Sequence, residues 1–257
     1  MAKDSASELN PPTSLLAGEV HVWYVLTDKV GSPDLVERYR SILSGNERER
    51  SDRYVFEKDR RLSLVSRALA RWTLSQYRDV DPAAWEFVEN RYGRPEVSTA
   101  LSADNSRLRF NVTHTEGLVA CAVAETFDTG VDAENIACRP LDWLGIAQGN
   151  FAPREVEQIR ALSVDAQKAA FFEFWTLKEA YIKARGMGLS LPLEAFAFEL
   201  RPGARPFVRF EPPSDEDARA WQFAAFSPTP EHRLAVAVRK GYRPDLLVTF
   251  TETIPLL

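Results

Sequence analysis

The chain has 257 residues, enough to bury a substantial core in one larger domain or in two small ones. A hydrophobic content of 45% and six Trp residues are typical of a soluble globular protein and leave little room for extensive disorder. The net charge of −5 argues against a general nucleic-acid-binding protein. No apolar run approaches the roughly 20 residues that a membrane-spanning helix requires.

Two features bear on the cellular compartment. Residues 1–17 lack the long apolar segment of a secretory signal and are predicted to form a flexible polar tail. Cys121 and Cys138 do not have metal-ligand spacing. They are able to pair, but reduced thiols are the expected state in a chain so poor in cysteine. The sequence therefore predicts a cytoplasmic protein that does not associate with membranes.

The first elements are a strand and a long helix. Alternating β-rich residues predict a strand at 19–26, and a polar, ion-dense stretch follows at 46–61. Apolar residues at helical spacing predict an amphipathic helix at 60–78. Four arginines share the face opposite to its apolar side. The default interpretation is that this face is solvated, and an anion-binding role for the arginines stays open. These are Arg60, Arg67, Arg71 and Arg78.

The remainder predicts β structure around a second long helix. Short helices are expected within 141–165, and the long helix spans about 165–184. Strand patterns lie at 85–90, 108–114, 118–124 and 130–136 before this helix, and at 194–200, 207–211, 221–226 and 233–238 after it.

A weak internal similarity suggests two related halves. The stretch 118-LVACAV-123 resembles 234-LAVAV-238, and each half runs from a strand through a long helix to several strands. This predicts two α+β subdomains, at 18–125 and 126–257, while chance likeness of two apolar strands is the alternative.

A pair of carboxylates lies in 131-VDAEN-135. On a strand, Asp132 and Glu134 project from one face, and so close a pair repels unless a cation or a base lies between them. Mg2+ suits such a pair, because it prefers oxygen ligands and takes one or two protein carboxylates. The competing interpretation is an exposed edge strand with two solvated acids.

The second long helix carries ions among apolar residues, in 174-FWTLKEAYIKARGMGLSLPL-193. Glu179 and Lys183 are four residues apart and can form an ordinary surface pair. Ionised groups among so many apolar residues need a stronger explanation than a surface pair. One such explanation is that Glu179 is a third metal carboxylate and that the ammonium of Lys183 beside it contacts phosphate. Gly186 and Gly188 allow a tight exit from the helix.

Other motifs are less specific or missing. His114 ends the strand pattern 110-FNVTH-114; a satisfied core imidazole is its usual role, and a phosphate contact together with Thr113 stays open. The sequence contains no G-x-G-x-x-G, no P-loop, no G-x-S-x-G and no H-E-x-x-H. Chemistry in this chain is therefore expected to depend on a metal, carboxylates and lysine.

These motifs together resemble the broad-specificity 4′-phosphopantetheinyl transferases of the surfactin-synthetase-activating type. The family patterns are close to G-[IV]-D-x-E and F-x-x-W-[ST]-x-K-E-[AS]-x-x-K-x-x-G-x-G-L. The matches extend to 93-GRP-95, 110-FNVTH-114 and the region 57–71, and the likeness covers about residues 20–240. The matching positions of the two long patterns are Gly130, Asp132, Glu134, Trp175, Lys178, Glu179, Lys183, Gly186, Gly188 and Leu189.

The resemblance implies a reaction. Phosphopantetheine moves from coenzyme A to a serine of an acyl or peptidyl carrier protein, and 3′,5′-ADP leaves. Mg2+, with Mn2+ as the alternative ion, binds the pyrophosphate of coenzyme A. The nucleophile belongs to the carrier, which serves a fatty-acid, polyketide or nonribosomal peptide synthase. Competing interpretations are a Mg2+-dependent pyrophosphate or nucleotide hydrolase and a non-catalytic scaffold that binds coenzyme A or carriers.

The resemblance also implies residue roles. Asp132, Glu134 and Glu179 become the metal carboxylates, with Asp132, Glu179 and Lys183 as the catalytic residues. Glu179 is a candidate base for the serine proton, directly or through a water, and Lys183 steadies the phosphates with help from Lys178. The predicted coenzyme A contacts are Arg50, Arg53, Gly93, Arg94, Pro95, Thr113, His114, Lys178 and Lys183.

The family fold implied is α+β, with two similar subdomains related by a pseudo-twofold axis. Each is a small antiparallel sheet packed on a long helix, the active site lies between them, and members of this length are usually monomers. This chain departs from the common pattern at three positions: Arg94 stands where Lys is commoner, Thr113 replaces Ser, and Glu47 occurs where some members carry a second base.

Overall fold

The computed structural model describes residues 18–100, 107–137, 142–186, 191–201, 203–210 and 216–257. Helices and small sheets alternate over these residues, so the predicted α+β class is confirmed. The predicted tail at 1–17, together with Cys138, Gly188 and Leu189, lies outside the described residues. No helix in the described ranges has the length and apolar character needed to cross a membrane.

Helices occur where the sequence predicts them, near 60–78, within 141–165 and near 165–184, whereas the two helices at 33–42 and 45–52 were not predicted. Residues 46–61 carry no apolar period, yet a capping box between Ser44 and Glu47 starts a helix there. The helices are α1 (Pro33–Ile42), α2 (Gly45–Asp52), α3 (Glu57–Ser75), α4 (Trp143–Asn150), α5 (Pro153–Arg160) and α6 (Val164–Arg185).

The strands form two larger sheets and two hairpins. The first sheet has the order β11-β1-β5-β4 and the second β6-β10-β9, while β2 pairs with β3 and β7 with β8. The strands are β1 (Glu19–Leu26), β2 (Phe87–Glu89), β3 (Pro95–Val97), β4 (Leu108–Thr115), β5 (Leu118–Glu125), β6 (Thr129–Asn135), β7 (Phe196–Glu199), β8 (Phe207–Phe210), β9 (Trp221–Phe226), β10 (His232–Arg239) and β11 (Leu247–Glu252).

The core is layered as helix, sheet, sheet, helix. One face of the first sheet packs on α3, where Val119 and Cys121 of β5 meet Leu69. Its other face packs on the second sheet, through Ala120 and Val236 among others. The far face of the second sheet packs on α6. Strand β5 is buried on both faces, which explains its continuous apolar run, since a strand covered on one side only would alternate.

The last strand crosses to the first sheet. Strand β11 runs parallel to β1, with Glu19 opposite Leu247 and Tyr24 opposite Glu252. The C-terminal part of the chain thus completes the sheet that the N-terminal part begins, which no motif in the sequence indicated.

The default interpretation of the arginine stripe on α3 is wrong for Arg71. Its side chain is 3% exposed, and its Nη2 lies 2.7 Å from Glu47 Oε2. Its Nη1 donates to the carbonyl oxygens of Pro82 (3.0 Å) and Trp85 (2.9 Å). Arg71 therefore fixes α2 and the chain after α3 to α3, because its planar fork serves several acceptors at once.

Candidate active site

The candidate site lies along a seam, which we define as the contact between β4, an edge strand of the first sheet, and β6, an edge strand of the second. Alternate side chains of β4 face β6, because successive side chains of a strand point to opposite faces. Three hydrogen bonds from side chains of β4 join the strands. Asn111 Oδ1 accepts from the backbone N–H of Val131 (2.8 Å), and Thr115 Oγ1 accepts from the backbone N–H of Asn135 (3.1 Å). Thr113 Oγ1 donates to Asp132 Oδ1 (3.3 Å).

Helix α6 lies directly on β6 at Gly130. A Cβ atom added to Gly130 would stand 2.2 Å from the carbonyl oxygen of Ala180 and 2.3 Å from the backbone nitrogen of Ala184. Only glycine permits so close a contact between strand and helix. This contact brings the strand that carries Asp132 within reach of Lys183 on the helix.

Lys183 is the centre of a polar network across the seam. Its Nζ lies 2.6 Å from Asp132 Oδ1, and it donates to Thr113 Oγ1 (3.0 Å) and to the carbonyl oxygen of Val131 (3.2 Å). The Lys183 side chain is 29% exposed and the Asp132 side chain 8%, so the network opens to solvent on the lysine side. The structure thus brings together three of the predicted site residues.

Three carboxylates share this region and perturb one another. Burial raises the pKa of Asp132, of Glu134 and of Glu179, and the charge of Asp132 raises the pKa of the other two further. Lys183 opposes all three shifts, and a hydrogen bond from Trp175 opposes that of Glu134. Trp175 therefore lies at the site. When all three are ionised, the set carries more negative charge than one ammonium neutralises.

The fit of this set to a divalent cation rests on Asp132. Its Oδ2 is buried without a hydrogen-bond partner, which leaves a carboxylate oxygen available beside two further acids. Oxygen donors of this kind are those that Mg2+ prefers. Within the described ranges, no group of three or more His, Cys, Asp or Glu side chains is arranged so that it could hold a metal ion. The donor chemistry fits the ion, and the predicted metal site stays a prediction.

The pKa of Glu134 makes stability depend on pH. Burial and neighbouring acids raise this pKa from 4.5 to about 7, so the folded protein binds the Glu134 proton more tightly than the unfolded chain. Protonation therefore favours folding, and its contribution is complete below pH 4.5 and lost as the pH rises through about 7. We expect the free energy of unfolding of the metal-free protein to fall over this interval by up to about 3 kcal/mol.

Urea unfolding at a series of pH values, in the presence of a chelator, measures this effect. The Glu134→Gln variant should lack this component of the pH dependence, because its amide does not titrate. An unchanged profile in the variant would assign the dependence to other groups.

His114 lies at the end of β4, next to the network. The residue is exposed, and its Nδ1 lies 3.5 Å from Ser66 Oγ of α3. Partial desolvation lowers the pKa of His114, and the charge of Lys183 lowers it further. The neutral imidazole is therefore favoured near Lys183.

Two adjoining cavities of about 520 and 200 Å³ open beside His114. Both are lined by Glu47, Arg67 and Pro95; Arg50 lines the larger and His114 the smaller. Arg50 also pairs with Glu89, at 3.0 Å. Among the predicted coenzyme A contacts, Arg50, Pro95 and His114 thus lie around one region.

Other predicted contacts lie differently. Arg53 is an exposed residue at the end of α2, and Gly93 occupies the β2–β3 turn with φ of 80°. Neither lines the two cavities described above.

Arg94 spans the seam from the β2–β3 hairpin. Its guanidinium donates to the carbonyl oxygens of Lys183 (3.1 Å) and Ala184 (3.2 Å) at the end of α6, and of Thr129 (3.0 Å) at the start of β6. Burial lowers its pKa. Since these acceptors occupy the fork, we assign its side chain to joining hairpin, helix and sheet, where a cation also suits the helix C-terminus.

Lys178 lies away from the seam, in the core of the C-terminal half. Its fully buried ammonium pairs with Glu155 at 2.8 Å and donates to the carbonyl oxygens of Leu193 and Phe196, at 2.7 Å each. Burial lowers the pKa of Lys178 and raises that of Glu155, and each partner's charge opposes the other's shift. An enclosed ammonium cannot reach the phosphates of a ligand, so this placement gives Lys178 a structural role instead of the predicted contact.

Loss of this buried pair should reduce stability. We expect Lys178→Met to lower the free energy of unfolding by about 3 kcal/mol, because it leaves the buried Glu155 carboxylate without its cation. This value is at the lower end of the range for a broken buried ion pair, because Glu155 still accepts from the backbone N–H groups of Phe198 and Ala152. Denaturant unfolding measures it, and Lys178→Met/Glu155→Met should recover part of the loss. A double variant no more stable than Lys178→Met would contradict this account.

Sequence reasoning missed several residues that shape the site. Asn111 and Thr115 lie at the same alternate positions as Thr113, so the period of two along β4 was the available signal. Glu155 gave no signal, since it reads as an ordinary helix carboxylate until the fold places it against Lys178.

Comparisons with known proteins point to one family. The model of the 4′-phosphopantetheinyl transferase superfamily matches residues 128–238, and a model of an N-terminal 4′-phosphopantetheinyl transferase region matches residues 32–126. The chain is similar to the 4′-phosphopantetheinyl transferase HetI of a Nostoc species, with 33% identity over 91% of this chain and 94% of that protein. It is also similar to the 4′-phosphopantetheinyl transferase Sfp of Bacillus subtilis, with 30% identity over 70% of this chain and 76% of that protein.

Among solved structures, a holo-[acyl-carrier-protein] synthase from Thermotoga maritima overlaps 44% of this chain and 63% of its own, with 17% identity and a TM-score of 0.36. A score of that size carries no weight beside the sequence matches. Family models cover both halves, and the relative from Nostoc matches along nearly its whole length. The chain therefore belongs to the 4′-phosphopantetheinyl transferase superfamily and is an enzyme.

Proposed function

We propose that the protein transfers 4′-phosphopantetheine from coenzyme A to a serine of an acyl or peptidyl carrier domain. The serine oxygen forms a bond to the β-phosphorus of coenzyme A. The bond from that phosphorus to the bridging oxygen of the pyrophosphate breaks, and 3′,5′-ADP leaves with its electron pair. The observation that carries this proposal is the network of Lys183, Thr113 and Asp132 beside two further carboxylates, in a member of this family.

The residues of the seam act by positioning and charge. Lys183, partly exposed beside Thr113, holds the phosphates of substrate and leaving group. Glu179, whose pKa is raised, takes the serine proton directly or through a water. Asp132, Glu134 and Glu179 would hold Mg2+, which supplies charge neutralisation at the pyrophosphate when bound. The chain needs no nucleophile of its own, because the carrier provides one.

The cavities beside His114 suit the nucleotide end of coenzyme A. Arg50, together with Arg53 at the end of α2, would attract the 3′-phosphate; His114 lines the smaller cavity, and its neighbour Thr113 accepts from Lys183. Gly93 and Pro95, on the β2–β3 hairpin, would line the adenine. Glu47 is acidic and pairs with Arg71, so it offers no contact to a phosphate.

We further propose that residues 18–125 and 126–257 form two similar halves related by a pseudo-twofold axis, with the active site between them. In support, α3 packs on the first sheet as α6 packs on the second. The carriers would be domains of fatty-acid, polyketide or nonribosomal peptide synthases, and the protein would act as a monomer of the surfactin-synthetase-activating type.

One assay tests the transferase proposal. The purified protein is incubated with coenzyme A, Mg2+ and an apo carrier domain, and the carrier is weighed by mass spectrometry. We expect the gain of one phosphopantetheine group on the carrier serine, with 3′,5′-ADP released in equal amount. Hydrolysis of pyrophosphates without a carrier would instead support the hydrolase, and binding of coenzyme A or carrier without turnover would support the scaffold. Family membership favours neither alternative.

A further inference from the structure

An exposed apolar segment joins α2 to α3. Tyr54, Val55 and Phe56, which we call the 54–56 loop, are 46%, 84% and 65% exposed. Other large hydrophobic side chains are exposed singly in the described ranges, and no other three consecutive ones are exposed to this extent there. A contiguous apolar patch in contact with water marks an interaction site more often than scattered exposed residues do.

The loop is held in one shape by the helices on either side. The backbone N–H of Tyr54 donates to the carbonyl oxygen of Ser51 (3.3 Å), and Nη2 of Arg60 donates to the carbonyl oxygen of Tyr54 (3.2 Å). The carbonyl oxygen of Phe56 accepts from the backbone N–H groups of Asp59 and Arg60, at 3.1 Å each. The side chains are therefore presented outward by an ordered turn, which lowers the entropic cost of binding a partner.

The loop also lies between two openings of the molecule. Tyr54 lines the smaller cavity together with His114. Glu57 and Lys58, which follow the loop directly, line a cleft of about 830 Å³ that reaches across the seam to Gly117 and His232. A partner seated on the loop would therefore stand beside the cavity that His114 lines, next to the residue that precedes it on β4, Thr113 of the Lys183 network.

The charge around the loop indicates the chemistry of that partner. Residues 48–61 carry six basic and four acidic side chains, a local excess of two positive charges in a chain whose net charge is −5. Arg53 directly precedes the three apolar residues and is exposed, while Glu57 directly follows them and Lys58 comes next, paired with Glu116 at 3.1 Å. The complementary surface is apolar side chains bordered by carboxylates, since such a pair buries the apolar area and pairs the rim charges.

We propose that the 54–56 loop docks the carrier domain, through an apolar patch of the carrier that is bordered by acidic side chains. This rests on the proposed function, which requires a carrier to bring its serine to the seam. The loop would contribute binding energy without touching the reacting atoms, so its loss should raise the KM for the carrier and leave kcat largely unchanged.

The test compares Val55→Ser/Phe56→Ser with the wild-type protein, using an apo carrier domain, coenzyme A and Mg2+. We expect the KM for the carrier to rise about tenfold, as for the loss of a central apolar contact, with kcat and the Kd for coenzyme A changed less than about twofold. Tyr242→Ser, which removes a side chain that is 79% exposed in the C-terminal half, is the matched control and should leave the KM unchanged. Thermal melting verifies that each variant is folded.

The outcomes separate the docking proposal from the function on which it rests. A wild-type protein that leaves the carrier unmodified overturns both. A wild-type protein that modifies the carrier, with an unchanged KM in the loop variant, overturns docking alone. Docking by the loop is also overturned if the KM for the carrier rises in Leu162→Ser/Val164→Ser, at the turn between α5 and α6, but stays unchanged in the loop variant. A wild-type dimer that the loop substitutions convert to monomer, seen by light scattering, would make the loop an interface between copies and also overturn docking.

Discussion

The Asp132→Ala variant is expected to modify carriers with a kcat/KM about 10²- to 10³-fold below that of the wild-type protein. Asp132 Oδ1 holds the Lys183 ammonium at 2.6 Å, and Oδ2 is buried and unpaired beside Glu134 and Glu179. Loss of this carboxylate frees the ammonium to move and removes one oxygen donor for the metal. Steady-state kinetics with an apo carrier and coenzyme A measures the change.

The same variant should remain folded. Burial raises the pKa of Asp132, which means that the ionised carboxylate is unfavourable in the folded protein, and Lys183 keeps acceptors at Thr113 and Val131. A melting temperature close to that of the wild-type protein is therefore expected. Asp165→Ala, which removes an exposed carboxylate from the first turn of α6, should keep full activity. Full activity of Asp132→Ala, or equal losses in both variants, would refute the assignment.

The Gly130→Ala variant is expected to lose about 4 kcal/mol of unfolding free energy, near the upper limit for a single substitution. The added methyl group would lie 2.2 Å from the carbonyl oxygen of Ala180, and backbone atoms of a helix cannot turn aside as a side chain does. Helix α6 must then lift from β6, which also separates Lys183 from Asp132. Thermal unfolding should show a melting temperature lower by roughly 10 °C.

A second glycine provides the control for this substitution. Gly149 lies in α4, and a Cβ added there meets no atom within 4 Å. Gly149→Ala should leave the protein unchanged or slightly more stable, because alanine is the better helix former. Comparable stability of the two variants would mean that α6 and β6 yield without strain, contrary to the packing described here.

The strand and helix patterns were predictable where one local signal dominated. The strand at 19–26 and the strand at 221–226 have the bounds that the sequence predicts, because their β-rich runs are bounded by turns. Strand β11 was not predicted: its six residues are half-exposed, and its pairing with β1 depends on a contact across more than 200 residues. Non-local pairing of that kind leaves no period in the sequence.

For the site, the sequence placed charges correctly on elements but not always on faces. Asp132 and Lys183, which the family resemblance implied as site residues, lie 2.6 Å apart, because Gly130 lets α6 pack directly on β6. Lys178 and Glu179 are adjacent on the helix, so they point about 100° apart, and only the fold decides which of them faces the core. The burial of Arg94 likewise follows from the carbonyl groups around it, which no linear pattern displays.

The seam has a further consequence for the chain before it meets any substrate. Exposed strand edges invite pairing with another copy, which is a common route to aggregation. Here the backbone N–H groups of Val131 and Asn135 on β6 are occupied by side chains of β4, so a foreign strand finds no free donors at those positions. Asn111 and Thr115 therefore protect the protein against self-association along the same edge that holds its candidate catalytic residues.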